Sequence, residues 1–149
     1  MRILTLTTPD VENGKGCRVT IWVAGCMHHC PDCQNKHAWD YNQGNLLNEY
    51  IINKIFSEVS KDYIEGITLS GGDPLYQSDD SLRDLLEFIK KFKQKFPKKD
   101  IWVYSGFTYE ELIANPNKKE ILSLCDVLID GKFIKELYDP DLAFRGSSN

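Results

Sequence analysis

The sequence predicts an α/β protein built as a partial, open parallel β/α barrel, and three observations carry that expectation. Short runs rich in β-branched and aromatic residues alternate along the chain with longer segments of helical period, the order that produces a parallel sheet wound by right-handed crossovers. Only four such units fit into 149 residues, too few to close an eight-stranded barrel, which takes roughly 250 residues. The chemically unusual residues fall just after the apolar runs. In a parallel sheet those positions are the carboxyl ends of strands, where ligands bind.

The elements follow in order. Asn13-Gly14-Lys15-Gly16 reads as a hairpin corner, since Asn-Gly and neighbouring glycines supply the backbone freedom a tight turn needs. Residues 18–24, Arg-Val-Thr-Ile-Trp-Val-Ala, read as the first strand. Residues 46–60 place Ile52, Ile55, Phe56 and Val59 on one helical face. Residues 64–70 form a second apolar strand, closed by Gly71-Gly72. Leu82, Leu85, Leu86, Ile89, Phe92 and Phe96 make the clearest helical stripe, with Ser78 or Ser81 as its cap and Pro97 as its stop. Residues 100–105 predict a third strand, 108–114 a short helix and 126–130 a fourth strand ended by Gly131.

With no internal repeat or linker, residues 1–149 read as one domain large enough to bury its own core. The formal charge of -4 offers no basic footprint for nucleic acid. No apolar run approaches the ~18 residues that span a bilayer. The opening residues are too polar for a secretory signal, so a cytoplasmic location and reduced thiols are expected.

Cys26, Cys30 and Cys33 are spaced three residues and then two apart, with no fourth cysteine at matching distance. Three thiolates can hold three irons of a cubane whose usual complement is four cysteines, and an open metal position marks a reactive site. The competing reading is structural zinc, with His37 completing a Cys3His set and His28 and His29 as further donors. A disulfide framework is disfavoured by the odd total of five cysteines. Cys17 and Cys125 lie in or beside apolar runs and read as small buried hydrophobes.

The remaining strand-end groups have two readings each. Gly71-Gly72 lets the backbone approach a ligand closely, and Asp73 could accept from a ligand ammonium group; the alternative is a tight turn capped by Asp73. Ser105 could bond a ribose hydroxyl or simply end a strand. Asp130 could accept from a ligand or stand in water. Lys90, Lys91, Lys93, Lys95, Lys98 and Lys99 cluster at one helix end. They read either as a solvated face that favours the helix dipole or as a docking patch for an acidic electron-donor protein.

Together these residues resemble the radical S-adenosylmethionine superfamily, whose hallmark is Cys-x3-Cys-x2-Cys followed by a glycine-glycine-acid element. Asn13-Gly14-Lys15-Gly16-Cys17-Arg18 and Cys33-Gln34-Asn35-Lys36-His37-Ala38-Trp39 are similar to the activating enzymes of glycyl radical proteins. Thr68-Leu69-Ser70-Gly71-Gly72-Asp73-Pro74-Leu75, residues 99–106, Asp130-Gly131-Lys132-Phe133 and Phe144-Arg145-Gly146-Ser147-Ser148-Asn149 are closest to the activators of anaerobic (class III) ribonucleotide reductases. The resemblance implies the open barrel of the radical S-adenosylmethionine type and a [4Fe-4S] cluster on Cys26, Cys30 and Cys33. It implies S-adenosyl-L-methionine as cofactor, with Gly71, Gly72 and Asp73 at its methionyl amine and the backbone of Asp32, Cys33 and Gln34 beside its adenine. Ser105 would lie near its ribose, and Asp130 belongs to the same binding set. The implied partners are the large subunit of the reductase, as protein substrate, and a flavodoxin-like or ferredoxin-like electron donor. Asp32 and Gln34 flank the third cysteine where many relatives carry glycine or an aromatic residue, and tyrosine. An activator of another glycyl radical enzyme is the nearest rival, but many of those carry extra cluster domains with cysteines this chain does not have to spare.

Overall fold

Parallel pairing occupies only part of the sheet. The computed structural model describes residues 1–149 and contains β1 (Arg2–Asp10), β2 (Cys17–Val23), β3 (Asn45–Leu46), β4 (Ile64–Gly71), β5 (Asp100–Tyr104) and β6 (Val127–Ile129). Its helices are α1 (Glu49–Val59), α2 (Asp79–Lys95), α3 (Tyr109–Ile113) and α4 (Pro116–Ser123). One six-stranded sheet runs β3-β1-β2-β4-β5-β6. β2, β4, β5 and β6 are parallel neighbours, as the alternation of strands and helices predicts. β1 lies antiparallel to β2, and β3 antiparallel to β1, so the sheet is mixed rather than wholly parallel.

Neither added strand is among the expected elements. β1 is long, but only Ile3 and Asp10 along it are buried. A strand with so little of its length buried carries no sustained apolar run. The turn at residues 13–16 was the available signal, because a hairpin corner needs a strand before it as well as after. β3 is two exposed residues, held by register with Arg2 and Ile3, and has no local signature at all. α4 is likewise absent from the expected elements. Beyond the short helix expected over 108–114, Pro116 occupies the first turn of a new helix, where its missing N–H costs nothing, and the Asn115 side chain accepts from Lys118 N.

The helix stops and starts otherwise follow their capping chemistry. Asn48 caps α1 by accepting from Ile51 N at 3.0 Å, and Ser78, rather than Ser81, caps α2 through Ser81 N at 3.2 Å. Thr108 and Glu111 form a reciprocal capping box on α3. The lysines near the end of α2 are largely engaged: Lys90 meets Glu120, Lys91 meets Glu49 and Lys93 meets Asp126, at 3.4, 3.1 and 2.8 Å. They tie the helix to its neighbours.

The two faces of the sheet are chemically opposite. Val19, Ile21, Val23, Ile67, Leu69, Ile101 and Val103 belong to one buried apolar cluster with Ile55, Leu85, Phe88, Ile89 and Phe92 of the helices. Alternate residues Arg18, Thr20, Thr68 and Trp102 are buried on the other face. Arg18 has no exposed side-chain surface. Its guanidinium donates to Thr68 Oγ1 at 2.7 Å, Ile67 O at 2.7 Å, Lys15 O at 3.0 Å and Asp100 Oδ1 at 2.6 Å, and lies over the Trp102 ring at 5.2 Å. Cys17 and Cys125 pack against the apolar core, as small hydrophobes do, and burial pushes the Cys125 thiol up to about 12. No helix is long and apolar enough to cross a membrane.

Register brings the strand ends level: Val23 pairs with Gly71, Leu69 with Val103, and Tyr104 with Ile129. The loops after them therefore converge. Because Arg18 joins three strand segments from a dry position, Arg18→Ala is expected to lower unfolding stability by about 3 kcal/mol. Urea titration reads this as a lower midpoint at unchanged slope; a change near zero would show that the polar face adds nothing to the fold.

Candidate functional site

The cysteine loop leaves β2 through Gly25, whose φ of 103° and lack of a Cβ let Tyr41 pack against it. Gly25 N donates to Ala38 O at 2.7 Å, and Gly25 O accepts from Asp73 N at 2.9 Å. The loop then turns twice in the left-handed region at non-glycine residues, His29 (φ 48°) and Asp32 (φ 57°). Cys33 N closes a turn onto Cys30 O at 3.1 Å. Asn35 ends the loop by donating from Nδ2 to Gly71 O at 2.9 Å. A Cβ on Gly72 would collide with Gly25 O and Ala38 O. The glycine pair thus serves close backbone packing between the ends of β2 and β4.

One cavity of about 230 Å³ lies over these strand ends, with Cys26, Cys30, Cys33, Gly72, Asp73, Ser105 and Asp130 in its wall. These expected site residues come together although they span more than 100 positions of the chain. Three others do not share that wall. Gly71 lies behind it as an acceptor for Asn35. Gln34 is exposed. Asp32 is exposed and pairs with Lys135 at 2.9 Å, a contact that holds its carboxyl below the usual range.

Asp73 is almost fully buried, at 1% exposure, and its carboxylate accepts from four donors. Leu75 N reaches Oδ1 at 2.8 Å, and Gly106 N reaches Oδ2 at 2.9 Å. Ser105 Oγ lies 3.1 and 3.0 Å from the two oxygens, and His28 Nε2 lies 2.8 Å from Oδ2. Asp73 thus caps its own turn through Leu75 N and also lines the cavity. Asp130 likewise does double duty, accepting from Tyr109 N at the start of α3 at 2.8 Å while facing the cavity.

In the sequence, His28 reads only as a further nitrogen donor. The structure buries it between Tyr76 and Phe107, ring centroids 4.8 and 4.6 Å away. Lys118 sits over the far side of this group, 3.8 Å from the Phe107 centroid, and burial pulls its pKa below the ordinary lysine value. The C-terminal segment, which carries part of the family resemblance, also reaches the site. Arg145, Gly146, Ser147 and Asn149 form the outer wall of the cavity, held by Asn149 Nδ2 donating to Lys132 O at 2.9 Å and Tyr104 OH donating to Phe144 O at 2.6 Å. The signal available was the Phe-Arg-Gly-Ser-Ser-Asn run itself, whose small and polar residues suit a segment lying against a site.

The donor set fits an iron–sulfur cluster better than a single ion. Three thiols surround a shared cavity, while no three His, Cys, Asp or Glu side chains converge as ligands of one ion. His37 lies exposed on the short turn Lys36–Trp39, outside that cavity, so the Cys3His zinc set is not assembled. Burial pushes the Cys26 thiol up to about 11; binding of a metal to that sulfur releases its proton.

Comparison with known proteins agrees with this donor set. The family described as 4Fe-4S single cluster domain matches residues 12–149. The anaerobic ribonucleoside-triphosphate reductase-activating protein of Escherichia coli K12 is 40% identical over 142 residues, covering 94% of this chain and 90% of that protein. The protein of the same name from Haemophilus influenzae is 40% identical, covering 100% of this chain and 95% of its own length. That of Enterobacteria phage T4 is 40% identical, covering 94% and 85%. With the cysteine-lined cavity at the carboxyl ends of its parallel strands, this chain belongs to the family of anaerobic ribonucleoside-triphosphate reductase-activating proteins, built on a 4Fe-4S single cluster domain.

Proposed function

We propose that residues 1–149 form a single radical S-adenosylmethionine domain, an open β/α barrel of that type, which generates the glycyl radical on the large subunit of an anaerobic ribonucleotide reductase. The observation that carries this reading is the meeting of three thiols with the Gly72-Asp73 edge in one cavity. Family membership supports it, because the relatives are named for activating that reductase.

Cys26, Cys30 and Cys33 would hold a [4Fe-4S] cluster with one iron open to ligand, since three thiolates serve three irons. With S-adenosyl-L-methionine bound, that group would supply the one-electron reductive cleavage of the sulfonium that underlies hydrogen-atom removal from a glycine of the reductase. The protein's own part is positioning and water exclusion. Gly71, Gly72 and Asp73 would receive the methionyl amine. The backbone of Asp32, Cys33 and Gln34 would border the adenine. Ser105 would lie by the ribose, and Asp130 would close the strand-end side. The C-terminal segment 144–149 walls the cavity on its outer side and keeps water from the reacting atoms. A flavodoxin-like or ferredoxin-like protein in the cytoplasm would deliver the electron.

Anaerobic purification is expected to give brown protein with about four iron and four sulfide per chain. Incubation with the reductase, a reductant and S-adenosylmethionine should give a glycyl doublet by electron paramagnetic resonance; loaded protein that cleaves the cofactor yet yields no doublet would reassign the partner. Cys30→Ala is expected to lose the cluster while shifting unfolding stability by less than about 1 kcal/mol, because the apolar core is built without the metal. Asp73→Asn should weaken S-adenosylmethionine binding about 10-fold or more at unchanged iron content. Loss of iron with intact binding would instead place Asp73 in cluster support.

A further inference from the structure

Between Cys26 and Cys33 the loop has little to hold it in register. Its ends are fixed, by Gly25 N on Ala38 O before it and by Asn35 Nδ2 on Gly71 O after it. Cys26 N also donates to Trp39 O at 3.2 Å; beyond it, Cys33 N bonds only within the loop, Asp32 pairs with Lys135 at the exposed surface, and the exposed His29 ring rests on Trp39 at 4.4 Å. The one buried side chain that reaches from the loop to the sheet's edge is His28, whose side chain is 5% exposed. A carboxylate only accepts, so Nε2 donates to Asp73 Oδ2.

Three features make a seat for that ring. Tyr76 and Phe107 enclose it, themselves 4.8 Å apart. Gly106 makes room for it: a Cβ there would stand 2.5 Å from His28 Cδ2 and 2.7 Å from Nε2. Asp73 is anchored independently, because Leu75 N, Gly106 N and Ser105 Oγ all come from the β4–α2 turn or the end of β5. The dependence is one-sided. Without His28 the carboxylate keeps three donors; without the Asp73 carboxylate the stretch between Cys26 and Cys33 loses its only side-chain hydrogen bond to the sheet's edge.

We propose that His28 is a positioning residue, which latches the cysteine loop to Asp73 and so sets the register of the three thiols over the Gly72-Asp73 edge before any cluster is present. This rests on the proposed cofactor site but reaches further, since the latch is a property of the metal-free chain. Its effect on the reaction is indirect: the loop determines how the thiols face the place where the cofactor amine would sit. A donor in the right place is what matters, and the ring's size alone does not suffice.

Two substitutions separate donor from bulk. His28→Phe fills the aromatic seat without an N–H, and His28→Gln places an amide N–H where Nε2 was. In metal-free protein, hydrogen–deuterium exchange of peptides covering residues 26–34 should rise about 10-fold in His28→Phe and stay near the parent rate in His28→Gln. In loaded protein, His28→Phe should keep about four iron per chain. It should bind S-adenosylmethionine about 10-fold more weakly, with His28→Gln restoring the affinity. Unchanged exchange in metal-free His28→Phe overturns the latch, as does loss of iron from that variant alone, which would make His28 a ligand. Should the loaded parent fail to bind S-adenosylmethionine, the cofactor reading falls while the exchange measurement still decides the latch.

Discussion

A buried carboxylate sets the geometry where the loops converge at the carboxyl ends of the parallel strands. Asp73 sits in the turn between β4 and α2 with 1% of its surface exposed, where an uncompensated charge would cost several kcal/mol. That penalty makes its donors obligatory. They come from its own turn, from Ser105 and Gly106 at the end of β5, and from His28 in the cysteine loop. Three segments distant in sequence are thereby held within hydrogen-bond reach of two oxygen atoms. The cysteines inherit their place from that arrangement.

Close backbone packing supplies the other half of the constraint. Gly71 and Gly72 leave no room for a Cβ against the end of β2, and Gln77 Nε2 staples the same corner by donating to Ala24 O at 3.0 Å and Asp73 O at 2.9 Å. Below this corner the apolar face and its helices form a core that owes nothing to a metal. The division of labour follows: Phe88, Phe92 and their neighbours hold the fold, and the loops above the strand ends are free to serve chemistry.

The polar face of the sheet has its own logic. Arg18 draws β2, β4 and β5 together, and Phe144 packs edge-on against Trp102 at 5.2 Å. Through that contact the C-terminal segment is brought back across the sheet to the cavity. The outer wall of the site is thus made by residues that follow the last strand, and its position depends on a tryptophan buried beside Arg18.

Much of this architecture is written locally. Ile52, Ile55, Phe56 and Val59 announce α1, the stripe from Leu82 to Phe96 announces α2, and the runs ending at Gly71, Ser105 and Asp130 announce parallel strands and their carboxyl ends. The stretches 68–75, 99–106, 130–133 and 144–149, with the cysteine motif, mark the activating-protein family as well. Those features depend on period, propensity and motif, which neighbouring residues carry by themselves. What tertiary structure alone decided was the antiparallel edge of β1 and β3, the engagement of the α2 lysines by Glu120, Glu49 and Asp126, the failure of His37 to join the cysteines, and the burial of His28 on Asp73. Each of these is a pairing between segments far apart in the chain. Such pairings are selected by packing and by the cost of burying unmet polar groups, and no local pattern records which partner will be there.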